Sequence, residues 1–337
     1  MSYPLDSAEV HFAVDAAREA ALLASRVQSD LVTDALTKGD KSPVTVGDFA
    51  SQAIVAHRLA DTIPGAQLIG EESADDLRSP EGAETLERVT HFVMSILPRS
   101  TPEEVCDWID RGAGEPGDEY WTLDPIDGTK GFLRGDQYAV ALALVRDGRV
   151  VVGALGCPEL QWDDQTNQLT PKRGGAGSLL VAADGDGCFA TSLRDSDAAW
   201  TRVEVSTTAD ASKTRMLRSV EKGHTNLGAI DLLADSMGVV APPVGMDSQA
   251  KYAALAAGEG EMLVRLLSAD RPDYREKVWD QAAGSIVVQE AGGRVTDLDG
   301  KPLDFSHGRT LASNRGIVAT NGHLHEAALA ALREIDA

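Results

Sequence analysis

The chain of 337 residues is 43% hydrophobic and 25% charged, an ordinary globular mixture that excludes extended disorder and predicts more than one core-bearing lobe. Its formal net charge of -22 argues against a nucleic-acid groove or an anionic membrane surface as partner, because either would repel the chain. Three cysteines, Cys106, Cys157 and Cys188, are too few and too widely spaced for a disulfide scaffold or a zinc site, and read as reduced, buried thiols.

Met1 to Glu9 carries no basic region followed by an apolar core, and no window approaches the ~18 apolar residues of a membrane span. A soluble, cytoplasmic protein is the expectation. From Val10 to Ala35, small and apolar residues recur at helical spacing (Phe12, Ala13, Ala16, Ala20, Leu23, Ala24, Val27). A polar break at Thr37 to Ser42 leads through Pro43 to Asp48, after which Phe49, Ala53, Ile54 and Leu59 mark a second helix ended by Pro64-Gly65. Asp48 is thereby expected at or near a helix start, where an acid can serve as nothing more than a cap.

Gln67 to Ile69 reads as a short strand running into Gly70-Glu71-Glu72-Ser73, and Ser79 to Glu119 as helix and polar loop. Ala139 to Arg146 and Arg149 to Leu155 form a hairpin about Asp147-Gly148, and Gly177 to Ala182 and Gly187 to Thr191 a second one about Asp184-Gly185-Asp186. Beyond Ala209 the rhythm changes to alternating elements: helices at Asn226 to Met237, Ser248 to Ala257, Asp280 to Ala291 and from Leu324, with strands at Val244 to Met246, Met262 to Leu266 and near Val295 and Ile317. An α+β lobe with antiparallel hairpins over residues 1–208, followed by an α/β lobe over 209–337, is the predicted organisation.

The most informative stretch is Asp124-Pro125-Ile126-Asp127-Gly128-Thr129, behind the apolar Trp121-Thr122-Leu123. Carboxylates at i and i+3 at the end of a strand can grip a hard cation such as magnesium, which takes oxygen ligands and shares them with a substrate phosphate. Free N-H groups at Gly128 and Thr129 would face an anion. The same hexapeptide also reads as an Asp-Pro and Asp-Gly turn, and its residues alone leave both readings open.

Lys41-Ser42-Pro43-Val44-Thr45-Val46-Gly47-Asp48, Gly70-Glu71-Glu72-Ser73, Asp124 through Gly135, Glu221-Lys222-Gly223-His224, Asp247-Ser248-Gln249-Ala250-Lys251-Tyr252 and Glu276-Lys277-Val278-Trp279-Asp280 together resemble the 3′(2′),5′-bisphosphate nucleotidases of the inositol monophosphatase superfamily. That resemblance spans nearly the whole chain. It implies a layered αβαβα sandwich in two lobes (the sugar phosphatase-like fold), a monomer, and removal of the 3′-phosphate from 3′-phosphoadenosine 5′-phosphate, with the phosphosulfate analogue as a further substrate. By the same resemblance Glu71, Asp124 and the Ile126 carbonyl hold one Mg2+, Asp124, Asp127 and Asp280 hold another, and a third, weaker ion borrows Glu71. Asp48 and Thr129 would position the attacking water. Gly128, Thr129, His224, Ser248, Lys251 and Arg265 would contact the small-molecule nucleotide, and Trp279 would pack so as to fix Asp280. An inositol polyphosphate 1-phosphatase is the alternative enzyme, and a nucleotide sensor without turnover the alternative of another class.

Overall fold

A computed structural model describes residues 3–38, 42–220, 227–267 and 273–335. The chain opens with two long helices, α1 (Ala8–Lys38) and α2 (Ser42–Thr62), then β1 (Leu68–Gly70), α3 (Ala83–Met94), α4 (Pro102–Asp110), β2 (Glu119–Asp127) and α5 (Thr129–Arg134). There follow β3 (Ala139–Arg146), β4 (Arg149–Cys157), β5 (Leu160–Asp163), β6 (Gln168–Pro171), β7 (Ser178–Ala183), β8 (Gly187–Ser192) and β9 (Thr201–Val203). The remainder comprises β10 (Met216–Arg218), α6 (Leu227–Ser236), β11 (Val244–Gly245), α7 (Ala250–Ala256), β12 (Met262–Arg265), α8 (Ala282–Glu290), β13 (Arg294–Thr296), β14 (Ile317–Thr320) and α9 (His325–Glu334).

Two sheets carry the architecture. The first has seven strands in the order β1-β2-β3-β4-β7-β8-β9, antiparallel except for the β1–β2 pair. The second has five, β11-β10-β12-β14-β13, with β10 parallel to both of its neighbours. Along β3, Val140, Leu142 and Leu144 pack with α1 and α2, whereas Ala139, Ala141, Ala143 and Val145 share a core with α7, α8 and the second sheet. The opposite face of the second sheet is covered by α6 and α9. The order of layers is therefore helix, sheet, helix, sheet, helix, the αβαβα sandwich expected. Burial on both faces explains why β3 reads as an unbroken apolar run rather than an alternating one.

Two glycines of β4 show how closely the layers meet. A Cβ on Gly153 would lie 2.4 Å from Ile286 of α8, and one on Gly156 would lie 2.7 Å from Ala21 of α1. Three residues apart on a strand, they face opposite sides, so each helix layer approaches the sheet through a missing side chain.

The start of the second helix differs from expectation. α2 begins at Ser42, with Pro43 inside its first turn, where a missing N-H costs nothing because that group has no helical partner. Asp48 consequently lies in the helix interior, and its role as a cap is ruled out. A short hairpin, β5–β6, occupies the connection between β4 and β7. No helix among the described residues is long and apolar enough to cross a membrane.

Because α8 leads directly out of the Asp280 segment, its seat on β4 matters to the site. Gly153→Val should destabilise the fold by about 1–3 kcal/mol through overpacking. Chemical denaturation at unchanged m-value measures this, and a variant as stable as the parent would contradict the contact with Ile286.

Candidate active site

In a regular strand, residues i and i+3 point to opposite faces. Here the register of β2 against β3 shifts between Asp124, which pairs with Ala141, and Asp127, which pairs with Ala139. This bulge turns Asp127 back, so that both carboxylates line one cavity of about 430 Å3. Glu71, reached one residue after β1, and Asp280, two residues before α8, line the same cavity, as do Ile126, Gly128, Thr129, Ser248, Lys251 and Arg265. Asp48 is 8% exposed, and the carboxylates that act on it most are those of Glu72 and Glu71.

Close approach at two glycines builds this junction. A Cβ on Gly47 would lie 2.6 Å from the Ile126 side chain, so the glycine before Asp48 lets α2 press against the bulge. Gly128 takes φ +92°, a left-handed conformation that favours glycine, and a Cβ there would meet Ser248 at 2.7 Å. Ser248 itself adopts φ +65°. The backbone N-H of the next residue, Gln249, donates to Asp127 Oδ2 at 2.5 Å, and the Gln249 side-chain amide donates to the Trp279 carbonyl at 2.9 Å. One buried glutamine thus ties Asp127 to the segment that ends in Asp280.

The cations are placed as deliberately. Lys251 is 4% exposed and donates through Nζ to the Ser248 carbonyl at 2.8 Å, leaving further N-H bonds for the cavity. Burial lowers its pKa to about 8, against the pull of Asp127. Arg265 is held at both ends of its fork by Glu276, at 3.1 Å and 3.0 Å, and Glu276 also accepts from Gln281. Glu276 balances the charge that Arg265 brings into the apolar strand β12. Neither it nor Gln249 carried a role in the sequence reading, since a structural partner has no spacing signature of its own. Arg134 pairs with Asp247, which anchors α5, the helix that starts at Thr129, to the second half of the chain.

Not every predicted contact forms. Thr129 is exposed at the start of α5, and among the described residues no hydrogen bond joins it to Asp48. His224 lies outside the described residues. Trp279 is buried, and its carbonyl is gripped by Gln249, in agreement with a packing role.

Electrostatics mark the cavity as costly. Loss of solvent raises the pKa of Asp124 well above the ordinary carboxyl value, and Glu71, Asp127, Asp280 and Asp48 raise it further. Asp280 and Asp48 are raised well above theirs for the same first reason. Glu71 is pushed up to about 7 by desolvation and by repulsion from Glu72 and Asp127. Asp127 rises too, but Lys251, Arg265 and the Gln249 N-H oppose the shift. Asp124 Oδ1 is buried with no hydrogen-bond partner. An orphaned, desolvated oxygen inside an all-oxygen donor set fits a hard divalent cation. Among the described residues no three acids contract into a compact ligand cluster; they are distributed around the cavity wall.

Residues 6–337 match the model of the inositol monophosphatase family. A 3′(2′),5′-bisphosphate nucleotidase of Schizosaccharomyces pombe is 41% identical over 93% of this chain and 91% of its own length. Proteins of the same description from Emericella nidulans and Oryza sativa are 38% and 40% identical over 97% of this chain, covering 98% and 94% of their own. Among solved structures, Mycobacterium tuberculosis SuhB superposes with a TM-score of 0.61 at 21% identity, over 96% of this chain and 95% of that one. An inositol monophosphatase from Anabaena gives 0.59 at 21% identity, over 97% of each. These two likenesses establish the fold.

The raised carboxyls have a consequence for stability. Each binds its proton more readily in the folded chain than in the unfolded one; for Glu71 the contribution is full below the ordinary Glu value of 4.5 and is lost as pH rises through about 7. A divalent cation needs the ionised form and competes with those protons. Added Mg2+ should therefore raise the thermal midpoint of EDTA-treated protein by several degrees near pH 8 and scarcely at all near pH 5. An equal response at both pH values would detach the carboxyl cluster from metal binding.

Proposed function

Because the chain belongs to the inositol monophosphatase family, we propose that it is a magnesium-dependent phosphomonoesterase that releases the 3′-phosphate of 3′-phosphoadenosine 5′-phosphate, giving AMP, and that it accepts the phosphosulfate analogue as well. The observation that carries this reading is one cavity lined by Glu71, Asp124, Asp127 and Asp280 together with Lys251 and Arg265. Acids of this kind hold cations, and the basic pair offers a place for a second anionic group of the same ligand. The names of the curated relatives supply the substrate class.

In this reading Glu71, Asp124 and the Ile126 carbonyl take one Mg2+, Asp124, Asp127 and Asp280 take another, and a third shares Glu71. When bound, the ions neutralise phosphoryl charge and acidify water. The remaining work falls to the chain. Asp48, buried close to Glu71 and Glu72, is the proton acceptor in this reading, reached through the Thr129 hydroxyl or a water between them. Gly128 and Thr129 present backbone N-H groups to the transferring phosphate. Ser248 and Lys251 hold the far phosphate, and His224 completes the nucleotide pocket. Arg265, fixed by Glu276, contributes a positive potential that cannot swing away. The boundary between lobes is assigned to residues 208 and 209, between the last strand of the seven-stranded sheet and the first of the other. A cytoplasmic monomer acting on a small molecule completes the proposal.

Phosphate release from the bisphosphate nucleotide should vanish with EDTA and return with Mg2+, with a higher kcat/KM than for inositol 1,4-bisphosphate; the reverse ranking would favour an inositol polyphosphate phosphatase. Asp48→Asn should lower turnover by about 10²- to 10⁴-fold with nucleotide affinity nearly intact, the range of a lost general base. Near-normal turnover removes Asp48 from proton transfer. Lys251→Ala should weaken nucleotide binding by roughly 1.5–3 kcal/mol, the worth of a hydrogen bond to a charged group, when measured by calorimetry. Unchanged affinity would separate Lys251 from the ligand.

A further inference from the structure

The acids around the cavity come from both halves of the chain, so their spacing depends on what holds the Glu71 segment against the Asp280 segment. Arg309 touches both. Its Nη2 donates to the carbonyl of Gly70 at 2.5 Å, and its Nη1 to the carbonyls of Gly112 at 3.0 Å and Gly114 at 2.9 Å. The Gly70 carbonyl belongs to the peptide that enters Glu71. On the other side, the guanidinium lies 4.9 Å from the centre of the Trp279 ring, and Trp279 immediately precedes Asp280. The backbone joins in: Val278 N-H donates to the Arg309 carbonyl at 3.2 Å, Leu311 N-H donates to the Glu276 carbonyl at 2.9 Å, and Lys277 bridges Thr310.

The receiving surface is equally constrained. Gln52, on α2 one turn after Asp48, donates to the carbonyls of Glu72 and Ile109 at 2.8 Å each and accepts from the Glu72 N-H at 3.0 Å. A Cβ on Gly70 would fall 2.4 Å from Gln52 Oε1, and one on Gly112 would fall 2.7 Å from Gln52 Nε2. The Gly70–Glu72 segment is thus pressed between Gln52 and Arg309, with no side chain of its own at Gly70 to cushion it.

We propose that Arg309 is a positioning residue that sets the separation of Glu71 and Asp280 across the cavity, and through it the affinity of the site for divalent metal. This rests on the metal site proposed above. Arginine suits the task where lysine would not. A planar fork can reach three carbonyls lying in different directions while its face rests on an indole ring, whereas an ammonium has neither the plane nor the reach.

Calorimetric titration of the full chain with MgCl2 alone, in parallel with activity titrations, separates the outcomes. Arg309→Lys and Arg309→Met should raise the Kd for Mg2+ by roughly 10- to 100-fold, the usual effect of losing a partner that orients metal ligands. The Mg2+ concentration for half-maximal nucleotide hydrolysis should move by the same factor, while KM for the nucleotide at saturating Mg2+ stays within about two-fold of the parent. Should Arg309→Met fail to fold, Arg309→Lys carries the test, supported by Trp279→Phe, whose effect on the Mg2+ Kd should be smaller and non-additive with it. A lysine variant with parental Mg2+ affinity and a lower melting point would make Arg309 a mere strut and overturn the proposal. A raised KM at unchanged Mg2+ affinity would overturn it too. If the parent itself bound no Mg2+, the metal reading would fall first and this one with it.

Discussion

Carboxylates spread around one poorly solvated cavity, with Asp48 buried close to Glu71 and Glu72, are the constraint around which this molecule is arranged. Each of Asp48, Asp124 and Asp280 is held far from its ordinary ionisation, and Asp124 keeps a buried oxygen without a partner. An apolar substitution would relieve that cost, and replacing buried ionic groups by well-packed apolar ones is often neutral or stabilising in other proteins. That a fold tolerates the cost at several positions at once is the mark of a binding site, because strongly perturbed groups facing one cleft cluster where chemistry is done.

The fold meets this constraint with local devices, each readable in physical terms. A bulge in β2 brings two carboxylates of one strand onto one face. Glycines at 47 and 128 allow backbone to approach where a side chain would collide. Buried amides at Gln52 and Gln249 then lock the loops bearing the acids, since an amide can donate and accept at once without adding charge. The two sheets contribute on either side, and the small-residue helices α7 and α8 between them permit close spacing. The overall negative charge poses no obstacle to an anionic ligand, for a bound cation rather than the summed charge dominates the potential within the cavity.

Much of this was legible in the sequence, and the parts that were not share a cause. Hairpins about Asp147-Gly148 and Asp184-Gly185-Asp186 announce themselves because turn residues and apolar runs are local signals. The spacing of Asp124 and Asp127 made that pair a candidate, whereas the layered fold and the roles of Glu71 and Asp280 were implied by a family resemblance that whole motifs carry. Misjudging the start of α2 reflects the double meaning of proline, which breaks a helix interior yet suits its first turn. Glu276, Gln249, Gln52 and Arg309 went unassigned because their partners are carbonyls, amides and charges distant along the chain. Arg309 and Gly70, for instance, are joined by a contact across 239 positions that no window of sequence contains.

The most direct measurement of the central claim is a crystal structure of the protein grown with Mn2+ and inorganic phosphate, read by anomalous scattering. Ion peaks bounded by Asp124 and shared with Glu71, Asp127 and Asp280, with phosphate between them and Lys251, are the predicted result. Peaks lying elsewhere, with these four carboxylates turned away from one another, would contradict it.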